Sequence, residues 1–305
     1  MRFYPKHFLT MQELSGEEII ELLNIADQLK YEKKNGIPHP RLAGKTLGMI
    51  FQKSSTRTRI SFEVGIYQLG GTALFLSPND LQIGRGEPLS DTGRCLARYL
   101  DGIMIRTYAH EDVERLTEYG IPVVNGLTDY AHPCQVLADL MTIREYKSTL
   151  KGLKLTFIGD GNNMANSLIT GCLNVGMSIS IACPKGYEPH EKVLAYAAGF
   201  GDKFTLTDNI QKACEGSDVL VTDVWASMGH EAEAAKRLEA FKGYQINDKT
   251  LFYANAEAMV LHCLPAHRGE EITEEVLERH AGMIFDEAEN RLHAQKAILI
   301  KLMEK

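Results

Sequence analysis

The sequence predicts two tandem α/β domains, each a mostly parallel sheet flanked by helices, with a C-terminal helix tying the lobes together. Three observations carry that expectation. Short apolar runs alternate with segments of helical periodicity along almost the whole chain. A polar stretch from Lys147 to Gly152 separates two such series, giving expected domains of 1–147 and 148–305. A chain of 305 residues is also longer than the ~250 to 300 at which single cores stop growing.

Ser15 followed by Glu18 makes a capping box, and Ile19, Ile20, Leu22, Leu23, Ala26 and Leu29 then recur at helical spacing, so a first helix runs to about Lys34. After turn material the apolar run Thr46 to Phe51 reads as a strand, and a helical pattern from Thr58 stops at Gly70-Gly71. Strands follow near Thr72 to Leu76, Gly102 to Ile105 and Ile121 to Val124, with a helix over Gln135 to Tyr146. The second series has strands at Leu153 to Ile158, Ser178 to Ala182, Lys203 to Leu206, Asp218 to Thr222 and Ala258 to His262. Between Ala226 and Lys242 a small, charged stretch reads as a mobile loop leading into a helix. A last helix spans Asp286 to about Met303. Short strands alternating with helices indicate parallel sheets covered by those helices.

Composition narrows the function. With 33 basic and 40 acidic side chains and a net charge of −7, the chain exerts no long-range pull on nucleic acid or anionic lipid, so an anionic ligand needs a local cluster of donors. Hydrophobic content of 44% supplies ample core and excludes disorder. No apolar run approaches the ~18 residues needed to span a bilayer, and Met1 to Gln12 has no apolar stretch of signal-peptide length; a cytoplasmic protein is expected. Cys95, Cys134, Cys172, Cys183, Cys214 and Cys263 are scattered without a CxxC pair, which suits neither a disulfide framework nor structural zinc.

Five clusters carry chemistry. Ser54-Ser55-Thr56-Arg57-Thr58-Arg59 lies between a strand and the helix after it, where unpaired N–H groups, hydroxyls and guanidinium groups can hold phosphate oxygens. The same residues also fit a solvated basic helix start with a Ser or Thr cap. Arg106-Thr107 follows another strand, and a lone Arg there also fits a surface salt bridge. His132-Pro133-Cys134-Gln135 enters a helix with Pro in its first turn. Asp223 ends a strand before the Ser227-Met228-Gly229 turn, where it could equally cap that turn. His262-Cys263-Leu264-Pro265 also sits at a strand end; a buried Cys is the other reading, and a metal site at His262 and His267 a third, disfavoured because the nearby Glu270 and Glu271 complete no recognisable ligand spacing. Gly159-Asp160-Gly161-Asn162-Asn163 lacks the third glycine of a dinucleotide fingerprint, and the following strand ends in Cys183-Pro184 without an acidic residue, which disfavours a nicotinamide cofactor.

Taken together and in this order, the five clusters closely resemble the ornithine carbamoyltransferases over essentially the whole chain. Ser55-Thr56-Arg57-Thr58 resembles that family's carbamoyl phosphate signature, and Asp223 with Ser227-Met228-Gly229 its ornithine-side loop. Aspartate-specific relatives typically have Thr in place of Cys134 and a Pro-Leu-Pro run in place of Cys263-Leu264-Pro265. Putrescine-specific relatives lack the Ser-Met-Gly loop. The resemblance implies a carbamoyl phosphate domain followed by an ornithine domain, and no metal or organic cofactor.

By the same resemblance Ser55, Thr56, Arg57 and Thr58 hold the phosphate, with Arg291 reaching it from the C-terminal segment. Gln82 would come from the neighbouring subunit of a homotrimer with shared active sites. Arg106, His132 and Thr58 would polarise the carbonyl, while Gln135 and the backbone carbonyls of Cys263 and Leu264 orient the carbamoyl NH2. Asn163 and Met228 are expected near the ornithine carboxylate, Asp223 and Ser227 near its ammonium. Asp223, Cys263 and the departing phosphate are all candidates for managing the amine proton. The runner-up readings are the same transfer to another amine such as putrescine, and a noncatalytic module that binds carbamoyl phosphate.

Overall fold

Residues 6–79, 81–226 and 233–304 are described in a computed structural model of the chain. By internal contacts the chain forms one unit from Met1–Ala138 with Asn290–Lys305 and a second from Asp139–Glu289.

In the first unit, Ser15 caps α1 (Gly16–Lys34), and Glu18 returns the favour by accepting the Ser15 N–H at 2.7 Å. Then come β1 (Thr46–Phe51), α2 (Thr56–Gln68), β2 (Thr72–Leu76), α3 (Leu89–Tyr99), β3 (Gly102–Arg106), α4 (His110–Leu116), β4 (Val123–Leu127) and α5 (Pro133–Lys147). The four strands are parallel, in the order β2-β1-β3-β4. Leu47, Met49, Ile50, Ile103, Ile105 and Val123 fill the core from the central strands, whereas β2 at the edge is largely exposed. The last strand runs to Leu127, past the expected end at Val124. Asn125 stays in the strand because its N–H donates to Phe8 O at 2.8 Å and its amide to Leu9 O at 2.9 Å.

The second unit continues with β5 (Lys154–Ile158), α6 (Asn163–Asn174), β6 (Ser178–Ala182), α7 (Glu191–Ala198), β7 (Phe204–Thr207), α8 (Ile210–Cys214) and β8 (Val219–Thr222). It closes with α9 (Ala234–Ala240), α10 (Asp248–Tyr253), β9 (Met259–His262), α11 (Glu274–Arg279) and α12 (Ala281–Met303). Its five strands are parallel in the order β7-β6-β5-β8-β9. The final helix begins at Ala281, earlier than the expected Asp286, because Ile284 is buried in the core with Val276 and Leu277 and keeps the chain wound. Both α5 and α12 contribute residues to each unit, the divisions falling after Ala138 and after Glu289.

Each sheet winds outward in two directions from its first strand, so its strand order reverses between β1 and β3 and between β5 and β8. Successive helices leave such a pair in opposite directions, which opens a crevice at the strands' carboxyl ends where ligands of open parallel sheets bind. Gly161 lies beside the second crevice, packed so closely on the chain at residues 187–189 that a Cβ there would meet Pro189 N at 2.2 Å. Among the described residues no helix is long and apolar enough to cross a membrane.

Candidate active site

In the first unit the crevice is built from the ends of β1 and β3, where Phe51 is in register with Arg106. The loop after β1 is pinned there: Gln52 N–H donates to Arg106 O at 2.8 Å, and Thr107 Oγ1 donates to the Gln52 side chain. Ser55 is the N-cap of α2, its Oγ accepting the Thr58 N–H at 3.2 Å. That cap turns the first-turn N–H groups and the positive end of the helix toward the crevice. Thr58 is fully buried, and its Oγ1 accepts from Arg291 Nη2 at 2.8 Å and from Ser55 Oγ at 3.1 Å. With both lone pairs engaged, the Thr58 hydroxyl proton is free to be donated.

Arg57 Nε is buried with no hydrogen-bond partner among the described residues, a donor in place for a ligand. Lys53 pairs with Asp129 at 2.6 Å, steadying the loop that leads to His132 and Pro133 at the start of α5. His132 and Gln135 are buried there. Burial holds the His132 imidazole well below its ordinary pKa, and the guanidinium groups of Arg291, Arg106 and Arg57 push it further down. It is therefore a neutral ring facing three cations. Cys134, pushed up to about 12 by burial, stays a thiol and donates to Asn125 O at 3.4 Å.

A cavity of about 420 Å³ opens beside this site, with Ser54, Ser55, Thr56, Arg59, Phe75 and Asn79 in its lining. Arg59 lies over the Phe75 ring at 3.7 Å from the centroid. Gln82 is exposed on a single 3-10 turn, Gln82–Arg85, and is not part of that lining.

In the second unit three strand ends converge. Asp223, just after β8, is buried, and its Oδ1 accepts from Val224 N at 2.8 Å and from Cys263 Sγ at 3.1 Å. Its Oδ2 accepts from Asn162 Nδ2 at 3.0 Å. Asn162 is the N-cap of α6, its Oδ1 taking the N–H groups of Met164 and Ala165, and Asn163 is the first residue of that helix. Cys263 follows β9. Burial raises its thiol well above the usual range, and the carboxylates of Asp223, Glu287 and Asp139 raise it further. Leu264, in the left-handed region at φ 55°, precedes a cis proline and packs against the core of this unit.

His262 links Cys263 to that core. Its N–H donates to Glu287 at 2.9 Å, its Nδ1 accepts from Leu264 N at 2.9 Å, and its Nε2 therefore carries the proton shared with Glu271 at 3.0 Å. His267, Glu270 and Glu271 have donor atoms within 4.8 Å of one another. Glu271 Oε1, however, already receives His262 Nε2 and the His267 N–H, which makes it a brace for the Cys263 loop.

Of the residues expected from sequence, the first unit brings together Ser55, Thr58 and Arg291 by hydrogen bonds, and Arg57, Arg106, His132 and Arg291 electrostatically. The second brings Asp223 and Cys263 into contact and sets Asn163 one residue from their partner Asn162. Ser227 and Met228 lie outside the described residues. The sequence motifs do not single out Asn162, which holds Asp223; the preference for Asn just before a helix is the signal that separates it from its neighbour.

Comparison with known proteins also divides the chain in two, between residues 145 and 151, but leaves the C-terminal segment with the second domain. A profile of the aspartate/ornithine carbamoyltransferase carbamoyl-P binding domain matches residues 6–145, and one of the Asp/Orn binding domain matches 151–302. The ornithine carbamoyltransferase of Carboxydothermus hydrogenoformans is 54% identical over 303 residues, covering 98% of this chain and 97% of the relative. That of Methanosarcina mazei is 52% identical over 296 residues, covering 97% and 98%. Among solved structures, ornithine carbamoyltransferase from Pyrococcus furiosus superposes with a TM-score of 0.92 at 50% identity, over 97% of this chain and 96% of that one. The anabolic enzyme from Campylobacter jejuni gives 0.93 at 45% identity, over 98% and 99%. Matched along both halves by sequence and by fold, this chain belongs to the aspartate/ornithine carbamoyltransferase family.

Proposed function

We propose that this chain transfers the carbamoyl group of carbamoyl phosphate to the side-chain amine of L-ornithine, giving L-citrulline and phosphate in arginine metabolism. The observation that carries the reading is the first-unit crevice, where Arg57, Arg106 and Arg291 surround a neutral His132 beside the capped start of α2. A dianionic phosphate fits that charge, with Ser55, Thr56, Arg57, Thr58 and Arg291 as its donors. Arg106 and neutral His132 then act as donors to the carbonyl oxygen, stabilising the oxyanion as it forms. Gln135 and the carbonyls of Cys263 and Leu264 orient the carbamoyl NH2.

Ornithine belongs to the second unit. Its α-carboxylate suits Asn163 and the N-terminal end of α6, and its α-ammonium, one carbon away, then falls to Asp223, which Asn162 ties to that same helix end. Ser227 and Met228 are assigned to ornithine on family resemblance. The side-chain amine has a lysine-like pKa near ~10 and must lose a proton before it attacks. Cys263 is held as a thiol and cannot accept it. The departing phosphate oxygen takes the electron pair of the breaking bond and is a stronger base than a carboxylate, so the proton released on attack leaves with phosphate.

From the ammonium form two protons leave the nitrogen: one goes to solvent before attack, and as the new N–C bond forms and the C–O bond to phosphate breaks, phosphate carries off the electron pair and the second proton. The same reading assigns residues 1–147 to carbamoyl phosphate and 148–305 to ornithine, except that Arg291, which lies in the first unit, joins the phosphate donors. It makes the enzyme a cytoplasmic homotrimer in which Gln82 serves the neighbouring subunit's site. The test is citrulline formation from carbamoyl phosphate and ornithine, run beside putrescine and aspartate. Rapid turnover is expected with ornithine alone; turnover confined to another acceptor would overturn the ornithine assignment, and none with any acceptor would overturn the transfer itself.

A further inference from the structure

The second-unit crevice contains a residue without a role in the chemistry above. Asn162 makes three hydrogen bonds that fix its amide in one orientation. Its Oδ1 is committed to the Met164 N–H at 2.9 Å and the Ala165 N–H at 3.3 Å, so Nδ2 has to be the atom that meets Asp223 Oδ2 at 3.0 Å. A side chain that capped the helix without a second function would need only the oxygen.

We propose that Asn162 is a positioning residue that sets the spacing between the two charged halves of an α-amino acid site. One half is the N-terminal end of α6, read above as the seat of the α-carboxylate; the other is Asp223, read as the seat of the α-ammonium. The proposal rests on that reading. In every α-amino acid the two groups hang from one carbon, so their separation is fixed while the side chain varies. Asn162 joins the two halves directly: one end of its amide grips the helix, the other grips the carboxylate.

The strand order explains why a bridge is needed. β5 and β8 are neighbours at the reversal of the sheet, and their ends diverge into separate loops, one carrying Asn162 and the other Asp223. Asp223 Oδ1 is already held by Val224 N and Cys263 Sγ. Without Nδ2 the carboxylate would be fixed through one oxygen only and could rotate about it. With Nδ2 in place, the remaining lone pair of Oδ2 is aimed, and an ammonium arriving there makes a charge-assisted bond with no reorganisation. Asn162 acts through Asp223 and touches no substrate.

Asn162→Ser separates the two functions, because a Ser hydroxyl caps a helix about as well as Asn but cannot span to Asp223. Asn162→Asp is a second variant that keeps a strong cap and so a folded chain, yet has no donor for Asp223 and sets a carboxylate against it. Each would be assayed as the full-length enzyme, alone and combined with Asp223→Asn, for ornithine KM and kcat, for binding of L-norvaline (ornithine without its side-chain amine), for carbamoyl phosphate affinity and for melting temperature. Expected for Asn162→Ser is about a 10-fold loss of norvaline affinity and a matching rise in ornithine KM. Its kcat should stay within about 3-fold, and carbamoyl phosphate affinity and melting temperature should hold. Asn162→Asp should lose more than Asn162→Ser.

In the cycle, Asn162→Ser should add nothing once Asp223→Asn is present, since a residue acting through Asp223 has nothing left to position. Losses that multiply in the double variant, or an Asn162→Ser enzyme with wild-type norvaline affinity beside an impaired Asp223→Asn, would overturn the role of Asn162 and leave Asp223 as the ammonium site. Wild-type norvaline affinity in Asp223→Asn would instead remove the ammonium reading itself, and the bridge with it.

Discussion

The fully buried hydroxyl of Thr58 holds three functions at one atom, and Thr58→Val tests them together. Valine keeps the shape of the side chain but removes Oγ1, which accepts from Arg291 at 2.8 Å and from Ser55 at 3.1 Å. A hydrogen bond from a charged donor is worth about 1.5 to 3 kcal/mol, and losing it strands a buried guanidinium N–H. The Ser55 bond adds at most about 1 kcal/mol, because Ser55 still caps α2 through the Thr58 N–H. The expected loss is therefore about 2 to 4 kcal/mol. At roughly 2–4 °C per kcal/mol for a domain of this size, the melting temperature should fall by roughly 4–16 °C in calorimetry. Carbamoyl phosphate should bind about 10- to 100-fold more weakly in titration calorimetry, since the O–H proposed to donate to the phosphate is gone. Thr58→Ser keeps the oxygen and should stay near wild type in both assays. A Thr58→Val protein that melts within roughly 1 °C of wild type and binds carbamoyl phosphate normally would refute the claim that Arg291 and the phosphate meet at this hydroxyl.

Three further outcomes follow from the charges. Cys263→Ala should lower turnover while leaving carbamoyl phosphate affinity intact, and wild-type Cys263 should alkylate more slowly at pH 8 than an ordinary thiol. Asp223→Asn removes a negative neighbour, lowers the thiol pKa and should speed that alkylation; no change would show that Asp223 does not govern Cys263. The His132 ring should remain neutral in nitrogen NMR down to pH 6, and an imidazolium there at pH 6 would contradict the grouping of guanidinium groups around it. Lys296, fully buried and bonded to Gln68 at 2.9 Å and His39 at 3.1 Å, is lowered to about 8 by burial first and by Lys33 second. Between about 8 and the ordinary 10.5 the unfolded chain holds more protons at this site than the folded one, so this group makes stability rise with pH across that window. Lys296→Met should flatten that rise in denaturant melts, and an unaltered slope would show that Lys296 keeps an ordinary pKa.

Much of this architecture can be read from the chain because most strands are short apolar runs, and some of them end in or are followed by a polar residue with chemistry. Thr46 to Phe51 and Ser178 to Ala182 have the bounds their residue types predict, and Arg106, Asp223 and Cys263 stand at or just past strand ends. The start of α12 was harder, since Asp286 resembles a helix start while the deciding contact, Ile284 in the core with Val276 and Leu277, is tertiary. Strand order is not local either. Nothing in the sequence says that β8 pairs with β5, and without that pairing Asn162 has no reason to differ from Asn163. Arg291 is the extreme case, since it meets Thr58 across 233 residues of sequence.

That long reach bears on how such a gene can be divided. The first unit is encoded in two pieces, with 139–289 inserted between them. A fragment that stops at residue 145, where the match to the carbamoyl-P binding domain ends, carries the Ser55 to Thr58 loop but leaves out the arginine that seats on Thr58. Limited proteolysis would not release the first unit intact by a single nick. For recombination between relatives, the movable cassette is accordingly the ornithine half, exchanged between Ala138 and Asn290, while both ends of the gene must come from one parent.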